Sequence, residues 1–350
     1  MNSPGGLANL RRTAGRIRRS FWRRALVLLY HRVTEVRPDP WWCAVTPENF
    51  REHLDVIRGY GTAMSLQELV KALRGGRFPR RAIVVTFDDG YADNLYNAKP
   101  LLEQFGIPAT AFITTGYVGG QREFWWDALD KVLLQPNTLP GELRLDINGS
   151  SHHWELADSA VYTQKEAARD RHWRAREEAP SARQRIYRSV WELLHPVSDG
   201  ERRKIVDRLQ EWAGVEPAVR PTHRFLSLDE VRSLAEGELI EVGAHSITHS
   251  ALSSLSPDEQ RREVLQSKAA LEELLNRRVG SFAYPYGTPS DFNLESIAAV
   301  REACFDCACT TVQAYVGKKA DPFQLPRVYA PDYNGEQFER FLFDWFNGQY

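Results

Sequence analysis

Residues 81–90 read Arg81-Ala82-Ile83-Val84-Val85-Thr86-Phe87-Asp88-Asp89-Gly90, a β-branched apolar run that stops on two carboxylates and a glycine. A short run of this kind is a buried strand, and Asp-Asp-Gly is turn chemistry. A helical stretch follows over about 94–105, with Pro100 expected to kink it or divide it in two. Ala109-Thr110-Ala111-Phe112-Ile113-Thr114 is then the next strand. Strand, helix and strand at this spacing predict a βαβ unit, and with it a parallel sheet or barrel.

The same rhythm extends outward in both directions. Upstream, Leu26-Val27-Leu28-Leu29-Tyr30 is a buried strand leading to His31. Downstream, Ser227-Leu228-Asp229-Glu230 is a capping box, and Leu239-Ile240-Glu241-Val242-Gly243-Ala244 is a strand that ends at His245. Ser256-Pro257-Asp258-Glu259 opens a long helix to about residue 276. Ser281-Phe282-Ala283-Tyr284, a cysteine-bearing strand over 306–312, and Gln324-Leu325-Pro326-Arg327-Val328 complete the series. Residues 121–224 depart from it: two strand-like runs flank the turn dipeptide Asn148-Gly149, and polar helices are expected over 163–176, 182–194 and 201–212. This segment reads as an insertion with its own small core.

Charge and composition narrow the function classes. Lys and Arg (45) nearly cancel Asp and Glu (46), a net charge of -1 that gives no global pull toward nucleic acid. The 10 tryptophans suit a sugar-stacking groove, although core packing accounts for a tryptophan equally well. Cys304, Cys307 and Cys309 resemble a metal cluster in spacing, but period two puts Cys307 and Cys309 on one strand face as small buried residues. The arginine-rich start, with only Ala25-Leu26-Val27-Leu28-Leu29 apolar after it, is too short for a secretory or membrane-spanning segment. The expectation is a cytoplasmic chain with reduced thiols, with peripheral membrane contact through a basic arm as the sharper option.

His31, Asp88, Asp89 and His245 each fall at the carboxyl end of an expected parallel strand, where such sheets bind ligands. Asp89, His245 and His249 offer one carboxylate oxygen and two imidazole nitrogens, and three protein ligands leave a position for water on a catalytic metal. A His-x-x-x-His pair alone is a weak signal; the neighbouring Asp pair strengthens it. Adjacent carboxylates cannot share one task, so Asp89 is assigned to the metal and Asp88 to a general base. The bland alternative for Asp88 is a turn cap.

Thr86-Phe87-Asp88-Asp89-Gly90, His245-Ser246-Ile247-Thr248-His249 and Phe282-Ala283-Tyr284-Pro285-Tyr286-Gly287 together resemble the first three motifs of the polysaccharide deacetylases, the NodB-like carbohydrate esterases. The resemblance runs from about residue 26 to 332, broken by the insertion. It implies a distorted (β/α) barrel, a divalent metal (zinc first, cobalt or nickel as alternatives) on Asp89, His245 and His249, and hydrolysis of an acetyl group from a carbohydrate. Asp88 then resembles the base, and Pro285-Tyr286 a wall of the groove. The implied organisation is a basic arm over 1–24, barrel over 25–120, insertion over 121–224, and barrel again over 225–350.

Two departures stand out. Ala283 occupies a place where many relatives carry an arginine that orients the base, and no histidine follows His249 to serve as the usual late acid. A subgroup acting on exopolysaccharides is similar in having alanine there and an early Tyr-His-x-Val segment, which Tyr30-His31-Arg32-Val33 resembles. His31 is therefore the expected acid and Arg327 the expected substitute partner of Asp88, against plainer readings as a strand-end histidine and a salt-bridge arginine. A backbone N–H near Tyr91 is the expected oxyanion donor. The competing functions are an inactive sugar-binding barrel, or hydrolysis of another C–N bond, such as a formamide on a lipid-linked sugar. Nothing in the sequence sets the oligomeric state.

Overall fold

In the computed structural model, which describes residues 24–76 and 78–349, the frame is an eight-stranded parallel sheet: seven strands in one path, with the short strand Thr62–Ala63 paired to Ala82 and Ile83 beside it. The seven are β1 (Ala25–Tyr30), β2 (Ala82–Phe87), β3 (Ala109–Ile113), β4 (Ile240–Ala244), β5 (Ser281–Ala283), β6 (Cys307–Cys309) and β7 (Val328–Tyr329). Their spatial order is β7-β1-β2-β3-β4-β5-β6. The stretch ahead of β7 closes the ring: Leu325 exchanges backbone hydrogen bonds with Ala308 and Thr310 at 2.8 and 2.9 Å, while Val328 and Tyr329 pair with Leu28 and Leu29. The short last strands make this a distorted (β/α) barrel, the expected fold.

Alternation along each strand sorts the core into two layers. Leu26, Leu28, Ile83, Val85, Ala109, Ala111, Val242 and Phe282 face outward onto the helices. Ala25, Val27, Ala82, Val84, Phe112, Ala283, Cys307, Cys309 and Leu325 face the lumen. The cysteines thus fill the barrel as small apolar groups, with their thiols pushed up in pKa by burial. Phe112 occupies so much of the lumen that a Cβ at residue 243 would lie 2.5 Å from its ring, so β4 carries Gly243 there. The amino-terminal floor is closed by α1 (Leu66–Gly75), which packs Leu66, Leu69 and Val70 onto the lumen cluster.

Pro100 divides the helical stretch after β2: residues Asn94–Ala98 form a π turn, and the α-helix Lys99–Phe105 begins beside the proline. Between β3 and β4 a second apolar cluster gathers side chains from Trp125 to Leu209. It is built from α2 (Trp125–Leu133), a hairpin of Glu142–Ile147 and Ser150–Glu155, α3 (Ala182–Leu194) and α4 (Asp199–Ala213). Asn148 and Gly149 take φ of 52° and 77°, the left-handed pair that a two-residue hairpin turn requires. The helix expected over 163–176 is shorter, Gln164–Asp170. Asp170 is tied down by Tyr162, Gln184 and Arg169, and the chain then turns so that Trp173 enters the second core. The basic segment 1–23 lies outside the described residues. Among the described residues no helix is long and apolar enough to cross a membrane.

Candidate active site

Continuing the lumen-facing alternation past the strand ends brings His31, Asp88 and His245 to the carboxyl mouth of the barrel. The parallel ladder extends that far, since Asp88 N–H donates to Tyr30 O and His245 N–H to Ile113 O, at 3.0 and 2.9 Å. The next residue, Asp89, has φ 79°, and this left-handed step turns a second carboxylate back toward the mouth instead of outward. Ser246, His249 and Tyr286 also adopt positive φ (62°, 54° and 57°). Strain of this kind persists where surrounding structure enforces it, and four of the non-glycine residues that carry it sit in the motif loops.

One ligand atom each from Asp89, His245 and His249 lies within 4.8 Å of the other two, and all three residues are buried. His249 Nε2 is 3.2 Å and His245 Nε2 3.6 Å from Asp89 Oδ1. His245 donates from Nδ1 to the Ala283 carbonyl at 2.8 Å, which leaves its Nε2 lone pair facing the carboxylate. Asp89 Oδ1 has no hydrogen-bond partner among the described residues. A buried carboxylate oxygen without a donor, faced by two imidazole nitrogens, fits a divalent cation. Burial lowers the pKa of His245 to about 4 and, with Arg202 close by, that of His249 to about 3, so both rings are neutral, as ligands must be.

Asp88 is held apart from this set. Arg327, wholly buried, grips it with Nη1 to Oδ1 and Nη2 to Oδ2, both 2.6 Å, while its Nε donates to Thr310 O at 2.9 Å. Burial favours the protonated acid, but the charge of Arg327, aided by His245 and His31, overcomes it and holds the pKa at about 2. Arg327 thus reaches the base from β7, while Ala283 leaves the lumen side of β5 open. His31 stacks on Tyr329 (ring centroids 5.8 Å, 12° between planes). Burial lowers its pKa, opposed by the charges of Asp89 and Asp88.

The expected substrate contacts divide. Tyr286 is half-buried and stands as a wall beside His249 (centroids 4.6 Å), its hydroxyl taking a hydrogen bond from Trp125 of α2. Pro285, just before it, is buried. The Tyr91 ring is also buried, packed on Phe225 and Phe124 with its hydroxyl donating to Asp127 at 2.7 Å, so that side chain does not reach a substrate. Its backbone is different. Ala92 N–H and Leu226 N–H make the bonds that flank the Tyr91–Phe225 pair, which turns the Tyr91 N–H away from that neighbour.

Sequence reasoning missed several supporting residues. Glu263, buried on the helix Pro257–Leu275, accepts from Ile247 N–H, Thr248 N–H and the Thr248 hydroxyl at 2.8–3.0 Å and so shapes the loop between the two histidines. Asp93 fastens Arg32 and the Val33 N–H beside His31. Trp126 donates to the Tyr91 hydroxyl and packs on His249. An acid on the buried face of a helix was the available signal for Glu263; the others depend on tertiary pairing.

A family model described as polysaccharide deacetylase matches residues 75–177 and 210–306. Over 108 residues the chain is 30% identical to the poly-beta-1,6-N-acetyl-D-glucosamine N-deacetylase of Staphylococcus epidermidis, covering 27% of this chain and 37% of that protein. An 89-residue match to the same-named protein of Staphylococcus aureus is also 30% identical, covering 25% and 31%. The chain therefore spans about a third of the length of the curated relatives it matches. In fold it is similar to the Streptococcus pyogenes deacetylase PplD solved with acetate (TM-score 0.56, 16% identity, 92% of this chain and 99% of that one). It is similar also to IcaB of Ammonifex degensii (TM-score 0.54, 16% identity, 93% and 97%). The match of the family model over most of the chain, with the motif residues gathered at one barrel mouth, leads to one statement of kinship: the chain belongs to the polysaccharide deacetylase family.

Proposed function

We propose that the chain is a metal-dependent hydrolase that removes the acetyl group from an N-acetylated sugar in a polysaccharide or glycan precursor. The observation that carries this reading is the pairing of two unlike carboxylates: Asp89 with two imidazoles around a shared point, and Asp88 beside it, ionised and clamped by Arg327. Asp89, His245 and His249 would hold the cation, zinc before cobalt or nickel. When bound, such a cation polarises a carbonyl and acidifies water. Asp88 accepts the proton of the attacking water, and Arg327 fixes the plane from which it does so. The Tyr91 N–H is placed to stabilise the developing oxyanion, and His31 to protonate the departing amine. Tyr286 and the insertion tryptophans behind it give a sugar ring an aromatic wall.

The inactive-barrel reading drew its force from the missing arginine and the missing late histidine; the reach of Arg327 to Asp88 answers the first, and His31 takes the role of the second in this proposal. Acetate release from a panel of N-acetylated glycans tests the proposal. A poly-β-1,6-linked N-acetylglucosamine should head the panel, with defined metals added to apoprotein. Formate release from a formamido sugar is the arm for the other C–N bond. Asp88→Asn is expected to keep its metal and lose turnover; full activity in that variant would overturn the assignment of the base. Peripheral membrane contact through the basic arm is checked by co-sedimentation with anionic vesicles.

A further inference from the structure

Among the described residues Arg183, Arg202 and Arg327 are at most 1% exposed, and two of them have their donors matched. Arg183 gives all three nitrogens to Ser159 O, Leu133 O, Asn137 and Ala160 O within the insertion. Arg327 is spent on Asp88, Thr86 and Thr310. Arg202, 1% exposed in the first turn of α4, makes one hydrogen bond, from Nη2 to the Ser250 hydroxyl at 3.3 Å, and its guanidinium carbon lies 5.3 Å from the Trp125 ring centroid. Its Nε and Nη1 have no hydrogen-bond partner among the described residues. The nearest carboxylate, Asp199, is 3.8 Å away and stands 2.7 Å from Arg203.

Arg202 is one of the residues around a cavity of about 280 Å³ at the seam between the loop after β3 and helices α2 and α4. Arg122 pairs with Asp207 and Glu123 with Arg220, while Arg202 and Arg203 share the single Asp199 carboxylate, at 3.8 and 2.7 Å. One buried positive charge remains over, and such a group is unfavourable unless an acceptor is supplied. We propose that this cavity binds a small oxyanion, a phosphate or carboxylate group, held by the unused N–H groups of Arg202. A water takes about 30 Å³, so the space holds such a group together with several waters. Arg202 lies in the stretch between the two blocks that the family model matches, while the loop after β3 and α2, which line the other side of the cavity, lie within the first block. Arg202 is also linked to the barrel mouth. Ser250 shares a hydrogen bond with Thr248 at 2.9 Å, inside the loop that Glu263 shapes and that carries His249.

The inference does not depend on the deacetylase reading, and binding measured without turnover tests it. The full chain is titrated calorimetrically with inorganic phosphate and, separately, with acetate, at constant ionic strength set by chloride. Saturable binding of one anion per chain is expected, with a melting temperature that climbs with its concentration. Arg202→Met should abolish it, Arg202→Lys should weaken it ~10-fold or more, and His245→Ala should retain it. Binding of acetate with this pattern identifies a carboxylate site; binding of phosphate alone identifies a phosphate-bearing ligand. Binding kept in Arg202→Met and lost in His245→Ala would place the anion at the carboxylate–imidazole centre and overturn the proposal. So would the absence of saturable binding to the wild-type chain. In chloride alone Arg202→Met should melt at or above the wild type, whereas a purely structural arginine would lower the melting point on removal.

Discussion

The mouth of the barrel and the seam between barrel and insertion each bury a guanidinium, and the two are provided for in different ways. At the mouth, Arg327 finds a carboxylate, a carbonyl and a hydroxyl already in place. At the seam, Arg202 finds one hydroxyl, a carboxylate shared with Arg203 and a cavity. Complete pairing makes a rigid device: Asp88 is ionised and oriented before any substrate arrives, so no reorganisation is needed at the moment of reaction. Incomplete pairing leaves an attraction unused, which suits a position that waits for a ligand. Burial alone does not distinguish the two; the count of satisfied donors does.

The largest effect that would sharpen this contrast is on turnover. Asp88→Asn should lower acetate release by ~10²- to 10⁴-fold while elemental analysis finds the metal still present. A small loss would mean that the pairing at the mouth is merely structural. Next is the stability of the clamp. Arg327→Met strands the Asp88 carboxylate, and urea denaturation should register a loss of about 3–5 kcal/mol. A loss no greater than that of the corresponding change at the seam would erase the distinction. Gly243→Ala, which forces a Cβ onto Phe112 below the mouth, should cost about 1–3 kcal/mol by the same measurement, with Phe112→Leu restoring part of it.

A smaller effect concerns Asp127, which joins the two regions through the Tyr91 hydroxyl. Burial pushes its pKa up to about 7, against the pull of Arg32, the Tyr91 hydroxyl and Arg220. A carboxyl whose folded pKa is raised favours the folded state in its protonated form. Its contribution is therefore full below the unfolded value near 4 and is lost as the pH climbs to about 7. Asp127→Asn keeps an acceptor for Tyr91 and does not ionise, so its stability relative to wild type should rise across that window in denaturation at its two ends. The smallest change belongs to the seam: Arg202→Met in chloride should shift stability by less than about 1 kcal/mol, or upward.

The barrel was legible because its strands are short apolar runs that stop on reactive side chains, as at Phe87-Asp88 and Ala244-His245. Alternation put Cys307 and Cys309 on one strand face as small buried residues, and the fold makes that face the lumen. The pairing of Arg327 with Asp88 was also within reach, since the alanine at 283 created a need and the end of β7 a means. What stayed hidden depends on contacts between distant segments. Glu263 and Arg202 look like ordinary polar residues of helices until the fold buries them, and the early end of the helix Gln164–Asp170 follows from Trp173 being drawn into the insertion core. Of the two residues expected as groove wall, Tyr286 is half-buried beside His249 and Pro285 is buried.

The partner of Asp88 arrives on the last strand of the barrel, 239 residues later in the chain. At the pace of a ribosome, roughly 5–20 residues per second, the two aspartates are outside for about 10–50 seconds before the arginine exists. Throughout that interval the nascent chain has the first motif but no counter-charge with which to bury it. The barrel cannot settle around its own mouth until the ring is nearly closed, so a chain released early would keep an open, hydrated β2 end and no oriented base. The base is thereby oriented only once the segment that carries Arg327 has been made.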